Sequence, residues 1–298
     1  MVSPETRAGL IALAGRPNVG KSTLVNAIVG QKVAIVSDKP QTTRRAIRGV
    51  ATRDDAQLIL TDLPGVQRPL DNLTERMQRR VERELSETDV ALMVLNAEQG
   101  VGPGDRWIAN LLRNAPCPVV IAVNKVDRLD RPHTILALEA AGELGIADEI
   151  FPISARKGTG VESLADYLFR VVPESPFLFG ADELSDLSPF VHLAELIREQ
   201  ILRRTFEEVP HAVEVVVEEV DTEREDLTVV RARAWVETES QKGILVGAGG
   251  KMIRAIGTAA RKELQRDLGT KVHLDLQVRV RRGWRGDDAL LDRLGFDN

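Results

Sequence analysis

Residues Gly15-Arg16-Pro17-Asn18-Val19-Gly20-Lys21-Ser22, with Thr23 next, match the spacing G-x-x-x-x-G-K-[ST] directly after a short apolar run. Glycines at both ends let the backbone curl so that its N–H groups face inward. A helix starting there adds the positive end of its dipole. Such a loop cradles phosphate oxygens. Lys21 is placed to reach β- and γ-phosphates, and the Ser22 hydroxyl to ligate Mg²⁺. The ligand this chemistry serves is a nucleoside triphosphate.

Asp62-Leu63-Pro64-Gly65 ends a second apolar run. Its carboxylate can hold Mg²⁺ through a water, and the Gly65 N–H can meet a γ-phosphate. Asn124-Lys125-Val126-Asp127 ends a third run. A carboxylate there accepts from N1–H and the exocyclic amine of guanine, a donor pair that adenine lacks, so Asp127 selects GTP. Asn124 is expected to tie this loop to the phosphate loop, and the Lys125 stem to cover the base. A backbone N–H within Ser154-Ala155 is expected near guanine O6. Alone, Asp127 would serve equally as a helix N-cap; behind two phosphate motifs, base recognition is the better reading. Between the first two motifs, residues 36–45 carry Thr42 and Thr43. One of these should ligate Mg²⁺ only while a γ-phosphate is present, and Thr43 is preferred. The expected catalytic groups are therefore Lys21, Thr43 and Gly65, with Ser22, Thr43 and Asp62 as metal ligands.

A second chemistry lies near the other end of the chain. Gly247-Ala248-Gly249-Gly250 separates two helical segments, and no side chain on those glycines would keep a nucleic-acid backbone away. Lys251 and Arg254 lie three apart on the following helix, with Arg261, Lys262 and Arg266 beyond. Arg281-Arg282-Gly283-Trp284-Arg285 adds cations and one ring, from which Arg282 and Trp284 are candidates for phosphate clamping and base stacking. Trp284 could equally be packed against the protein. The block at residues 207–226 holds nine acids and one arginine, and is expected as a solvated strand edge facing away from RNA.

These groups need elements to hold them. Apolar runs at residues 10–14, 46–52, 57–61, 90–96, 119–124 and 149–153 read as strands, several covered on both faces. Helical spacing at 73–85 and 161–172 alternates with them. The expected fold is α/β, a mainly parallel sheet with helices on both faces. Residues 173–189, with three prolines, one glycine and four acids, read as a linker. A helix at 190–206, strands at 211–220 and 227–237, two helical segments and an alternating strand at 272–280 then make a smaller α+β unit. The expected division is 1–172, 173–189, 190–282 and a tail at 283–298.

The chain has 298 residues, 43% of them hydrophobic and 29% charged, and its longest apolar runs are far below the ~20 residues of a membrane span. One cysteine, Cys117, and four scattered histidines exclude a disulfide and a histidine–cysteine metal centre. A cytoplasmic protein is expected. The net charge of −5 conceals its distribution: residues 1–180 are neutral, 181–226 carry −10, and 240–285 carry +8. That basic stretch coincides with the glycine loop and points to an anionic partner.

Taken together, GRPNVGKST, PQTTR, DLPG and NKVD resemble the Era family of ribosome-associated GTPases over nearly the whole chain. The order helix-strand-strand-helix-helix-strand around the glycine loop resembles a type II KH domain, whose groove takes about four single-stranded nucleotides. The resemblance implies GTP/GDP and Mg²⁺ as ligands, binding to the 3′ end of 16S rRNA on the 30S subunit under GTP control, and a role in subunit maturation. It also implies an apolar residue in place of the water-orienting glutamine, here Val66, with Gln67 one residue late. Asn18 occupies the position that supports K⁺ in related GTPases. With no general base in view, slow turnover is expected from a monomer. Weak peripheral membrane contact, as in a membrane-associated or cell-cycle signalling GTPase, is the alternative. A tRNA-modifying GTPase would need a reactive C-terminal cysteine, which Cys117, between Pro116 and Pro118, does not supply.

Overall fold

Runs apolar throughout must be covered on both faces, and the computed structural model covers them with two helical layers. It describes residues 6–39, 42–65, 71–224, 226–294 and 296; the expectations for Pro40, Gln41, Val66 and Gln67 lie outside them. In chain order the first half comprises β1 (Arg7–Ala14), α1 (Lys21–Val29), β2 (Ile47–Thr52), β3 (Ala56–Asp62), α2 (Asn72–Glu87) and β4 (Val90–Asn96). It continues with α3 (Pro103–Leu112), β5 (Val119–Asn124), α4 (Arg131–Gly142), β6 (Glu149–Ile153) and α5 (Val161–Val171). The sheet order is β2-β3-β1-β4-β5-β6. Every pairing is parallel except β2 with β3, which is antiparallel. Alternate strand residues therefore feed two cores. Leu13, Leu60 and Val94 meet Leu24 of α1 and Leu164 and Leu168 of α5. Ala14, Met93 and Ile121 meet Val81 of α2, Ile108 of α3 and Ala141 of α4.

The second half adds α6 (Pro189–Leu202), α7 (Val209–Ala212), β7 (Glu214–Arg224), β8 (Leu227–Val236), α8 (Glu239–Val246), α9 (Lys251–Leu268), β9 (Lys271–Val280) and α10 (Asp288–Arg293). Ser188 caps α6 with Pro189 at its first position, an unstrained place for proline. Thr238 and Gln241 form a capping box on α8. The sheet order is β7-β8-β9, antiparallel then parallel, and the parallel pair is connected by α8 and α9. Leu196 and Ile197 of α6, Val215 of β7, Ala232 of β8 and Ile256 and Leu264 of α9 share this core.

Four expectations change. The segment at 173–189 is not a free tether: Leu184 O accepts from Val50 N–H at 2.9 Å, Ser185 bridges Gly49, and the Gln57 side chain holds Leu178 and Phe179. It covers the β2 edge of the sheet, where unpaired backbone groups would otherwise face water. The strand expected from residue 211 starts at Glu214, because residues 209–212 form α7 with Pro210 in its first turn. Glu214, expected in a solvated acidic block, is completely buried between Arg44 and Arg45. Trp284 is completely buried as well, packed with Leu290 and Leu291 of α10 against Leu73 and Met77 of α2, its Nε1 donating to Ala212 O at 3.0 Å. A ring in that position stacks on no base, so Trp284 is a packing residue. The tail it belongs to joins the two halves: Arg76 of α2 holds Asp288 at 2.9 Å and Asp292 at 2.6 Å.

Candidate functional site

A cavity of about 490 Å³ opens beyond the carboxyl ends of β1, β3, β5 and β6, where ligands of open α/β sheets bind. It gathers residues from all the expected motifs: Asn18, Lys21, Thr43, Gly65, Asp127 and Ser154 are among its walls. Gly20 has φ +104°, and a Cβ there would lie 2.3 Å from Asn124 Nδ2. The loop therefore passes tightly under the Asn124 amide, which donates to Val19 O at 2.8 Å. Asn124 Oδ1 accepts from Lys125 N–H at 2.8 Å and from Ala155 N–H at 2.9 Å. One side chain thus ties three loops, as the sequence led us to expect for two of them. The Ala155 N–H takes part in that knot, in the same loop where a backbone N–H of Ser154-Ala155 is expected near a base O6.

Lys21 is buried at the start of α1, and its Nζ donates to Gly15 O at 3.0 Å and Arg16 O at 3.2 Å. Burial pushes its ammonium down from the ordinary lysine range, against the pull of Asp62. Burial pushes the Asp62 carboxyl up, opposed by Lys21, Ser22 and Thr43. Ser22 Oγ donates to Asp62 Oδ2 at 2.6 Å, Thr43 Oγ1 donates to the same oxygen at 3.0 Å, and the two hydroxyls lie 3.2 Å apart. Asp62 Oδ1 is buried with no hydrogen-bond partner. Three clustered hard oxygens and one unpartnered carboxylate oxygen suit Mg²⁺. Thr42 points elsewhere, donating to Lys39 O at 2.5 Å, so Thr43 is the threonine that joins the cluster. Among the described residues no group of three His, Cys, Asp or Glu could hold a metal instead.

At the base end, Asp127 is exposed and accepts from the Ser154 hydroxyl, which holds its carboxyl below the usual range. Lys125 Nζ donates to Asn18 O at 2.8 Å, stretching its stem across the pocket mouth. Asn18 and Lys125 both have left-handed backbone, at φ 63° and 70°. Such strain in non-glycine residues marks functional loops. Thr23 lines the cavity. Val19 and Leu63 send their side chains into the protein, and Pro64 is also buried, so only the backbone of these three is left to face a ligand. Arg16 turns away to Asp105 of α3 at 2.9 Å. The sequence reading missed residues 37–39, Arg128 and Arg156, all lining the cavity. For residues 37–39 the only signal was their place between two motifs.

In the second half, Gly247, Gly249 and Gly250 have φ +71°, +59° and +75°, so the loop is left-handed at three of its four residues. A Cβ on Gly247 would lie 2.7 Å from Met252 Cβ and 2.9 Å from Met252 N. The loop consequently seats directly on the start of α9. Ala248, Gly249, Lys251 and Arg254 are exposed, and Arg254 folds back so that Nε donates to Gly250 O at 3.2 Å and Nη2 to Gly249 O. Ile244 is exposed beside the loop, while Leu245 and Ile256 are core residues. Arg282 is exposed beyond β9, separated in role from its buried neighbour Trp284. Cys117 packs beside the α3–α4 layer, and burial raises its thiol, the opposite of an activated cysteine.

A phosphate loop, a base-reading carboxylate and a hydroxyl–carboxylate cluster on this sheet define a GTPase, here with an appended KH domain. Residues 10–125 match the family described as 50S ribosome-binding GTPase, and residues 208–285 match the KH domain family. GTPase Era of Lactobacillus helveticus is 43% identical, the match covering 100% of this chain and 98% of that protein. GTPase Era of Mycobacterium avium is 45% identical, with coverages of 98% and 99%. The crystal structure of Era in complex with MgGDPNP and nucleotides 1506–1542 of 16S ribosomal RNA matches with a TM-score of 0.93 at 34% identity, covering 98% of this chain and 100% of that one. A variant of Aquifex aeolicus Era bound to GDP.AlF4⁻ matches with the same TM-score of 0.93 at 33% identity and the same coverages. The chain belongs to the Era family, and it hydrolyses GTP.

Proposed function

We propose that this GTPase is a switch that binds the 3′ region of 16S rRNA through its KH groove while GTP is bound, and so assists assembly of the 30S subunit. The observation that carries the reading is the left-handed glycine loop at 247–250, its backbone exposed at the start of α9 beside Lys251 and Arg254. That geometry suits four nucleotides of single-stranded RNA. A related Era bound to a 16S rRNA fragment supports the choice of RNA.

At the other site, Lys21 holds the β- and γ-phosphates, Gly65 N–H meets the γ-phosphate, and Asp127 reads guanine. Ser22, Thr43 and Asp62 would hold Mg²⁺, which when bound would supply charge stabilisation to the transferring phosphoryl group. Water attacks the γ-phosphorus, the bond to the β,γ-bridging oxygen breaks, and GDP and inorganic phosphate leave. Asn18 Nδ2 is engaged with Asp38 O at 2.6 Å, which leaves its Oδ1 as the K⁺ ligand we assign. Equal hydrolysis rates in KCl and NaCl would remove that assignment. The protein works in the cytoplasm as a monomer. No helix among the described residues is long and apolar enough to cross a membrane.

The test is fluorescence anisotropy with an oligonucleotide of the 16S 3′ end and a shuffled one, in the GMPPNP and GDP forms. At least tenfold preference for the true sequence with GMPPNP is expected, reduced by Gly249→Asp, which sets a carboxylate in open space on the phosphate track. Equal affinity for both oligonucleotides in both forms refutes the proposal. In cells, crosslinking should enrich RNA from this region, and Lys21→Ala should abolish the enrichment.

A further inference from the structure

Helix α6 belongs to the second core, yet consecutive residues on it grip the loop that carries Thr43. Arg198 is completely buried; it pairs with Glu195 at 2.6 Å and its Nη2 donates to the carbonyl oxygen of Thr42. Glu199, also completely buried, accepts from Val36 N–H at 3.0 Å through Oε1. Its Oε2 receives Lys32 Nζ at 2.6 Å, and the same ammonium meets Glu263 of α9 at 2.7 Å. The two ends of the loop at 36–42 are thus held by charged groups from the other half of the molecule.

We infer that Arg198 and Glu199 are positioning residues for GTP hydrolysis, holding the loop so that the Thr43 hydroxyl stays beside Ser22 and Asp62. This rests on the reading of Thr43 as an Mg²⁺ ligand. The carbonyl of Thr42 and the N–H of Thr43 share one rigid peptide plane. A guanidinium fixed on that carbonyl therefore restricts the orientation of Thr43 itself. Inside its own half, the described residues among 36–39 and 42 have light side-chain restraint: Asn18 on Asp38 O, and turns closed by Ser37 and Thr42. Lys39 leaves its half altogether, lying 4.1 Å over the ring of Phe206. A charge-assisted bond in a buried place is strong enough to set the loop where these local contacts are not.

A purely structural role in joining the halves would act on the GDP and GTP forms alike. A positioning role acts where Thr43 meets the metal. The experiment measures single-turnover GTP hydrolysis against Mg²⁺ concentration, together with GDP affinity and melting temperature. It compares the full chain with its Arg198→Met, Arg198→Lys, Glu199→Gln and Thr43→Ala variants. Arg198→Met should raise the half-saturating Mg²⁺ concentration about tenfold, the worth of one hydrogen bond to a charged group. It should leave GDP affinity within twofold, and Arg198→Lys, which keeps a donor, should recover most of the loss. Thr43→Ala should show the same Mg²⁺ signature. If Thr43→Ala shifts the Mg²⁺ dependence and Arg198→Met does not, the positioning role is refuted and the Thr43 reading stands. If neither shifts it, the Thr43 reading fails and takes this inference with it. Equal weakening of GTP and GDP binding, without rescue by lysine, makes Arg198 a structural residue and overturns the proposal. Should Arg198→Met not fold, Glu199→Gln carries the test: a threefold Mg²⁺ shift is expected, and none refutes it.

Discussion

Arg44 is the residue whose removal should most clearly part the two halves. It is completely buried, and its Nη1 donates to Val213 O at 2.7 Å and Glu214 Oε2 at 2.9 Å. Its Nη2 donates to Pro210 O at 3.0 Å and His211 O at 2.8 Å. Burial pulls its guanidinium down to about 10, with Arg198 adding to that and Glu214 opposing it, so it stays charged at neutral pH. Arg44→Met keeps an unbranched apolar stem in the same space. Removing one partner of a buried ion pair costs roughly 3–5 kcal/mol. Arg45 still holds Glu214 at 3.1 Å, so the lower end applies, about 3 kcal/mol. At ~1.4 kcal/mol per factor of ten, the open population rises about 100-fold. Hydrogen exchange resolved by peptide reads this directly, because local opening is measured separately from global unfolding. Peptides covering 36–46 and 209–216 should lose about 100-fold in protection, while the central strands keep theirs. Protection unchanged within threefold, or lost equally in β1 and β4, would refute the reasoning.

Three further outcomes follow from the same geometry. Asp127→Asn removes two charge-assisted hydrogen bonds to guanine; GTP affinity should fall at least ~100-fold. Xanthosine triphosphate should gain affinity, because its C2 carbonyl can accept from the new amide; competition binding checks both. Gly247→Ala drives a Cβ to 2.7 Å from Met252 at φ +71°, so RNA affinity should fall with GTP hydrolysis unchanged. A strained backbone residue costs roughly 1–3 kcal/mol, or about tenfold in anisotropy titrations. Burial works against the Glu214 carboxylate, but Arg45, Arg44 and Arg198 outweigh it and hold its pKa at about 2 against an ordinary 4.5. With the folded value depressed, this contribution is complete above 4.5 and is lost as pH falls toward about 2. The halves should stay docked at pH 5 and separate below pH 4, followed by the same exchange measurement; separation beginning above pH 5 would contradict it.

Where chemistry dictates residue type, the sequence was readable. A phosphate cradle needs glycines with lysine and a hydroxyl beside them, and guanine needs a carboxylate, so Gly20, Lys21, Ser22, Asp62 and Asp127 could be named from spacing alone. Direction was not readable. Thr42 and Thr43 are chemically equal, and only the backbone path sends one hydroxyl to Asp62 and the other to Lys39. A backbone N–H of Ser154-Ala155 was expected in this loop, but nothing local says that Asn124 Oδ1 accepts from Ala155. Trp284 stood beside arginines and looked like a nucleic-acid ring, yet its partners Leu73 and Met77 lie some two hundred residues away in the chain. Arg45, Arg198 and Glu199 carried no motif, and Arg44 stood in PQTTR only as the residue after the two threonines. Buried ion pairs between domains draw both partners from distant positions, and each member alone looks like a solvated surface residue.

Those hidden charges bear on how a nucleotide could be sensed at a distance. Thr43, beside the metal cluster, is followed at once by Arg44 and Arg45, both embedded in the second half. Gly65 is followed by α2, whose Arg76 holds the α10 tail. Each segment proposed to meet the γ-phosphate therefore leads to a cation docked outside its own domain. A ligand shifts a two-state equilibrium only by its difference in affinity for the two states. Whatever factor GTP adds to RNA affinity over GDP, bound RNA must add to the preference for GTP over GDP. Measuring the GTP/GDP affinity ratio with and without the 16S oligonucleotide completes that cycle. If the docked arginines carry the coupling, Arg44→Met collapses both factors toward one together, while leaving the GTP/GDP ratio of the RNA-free protein nearly unchanged.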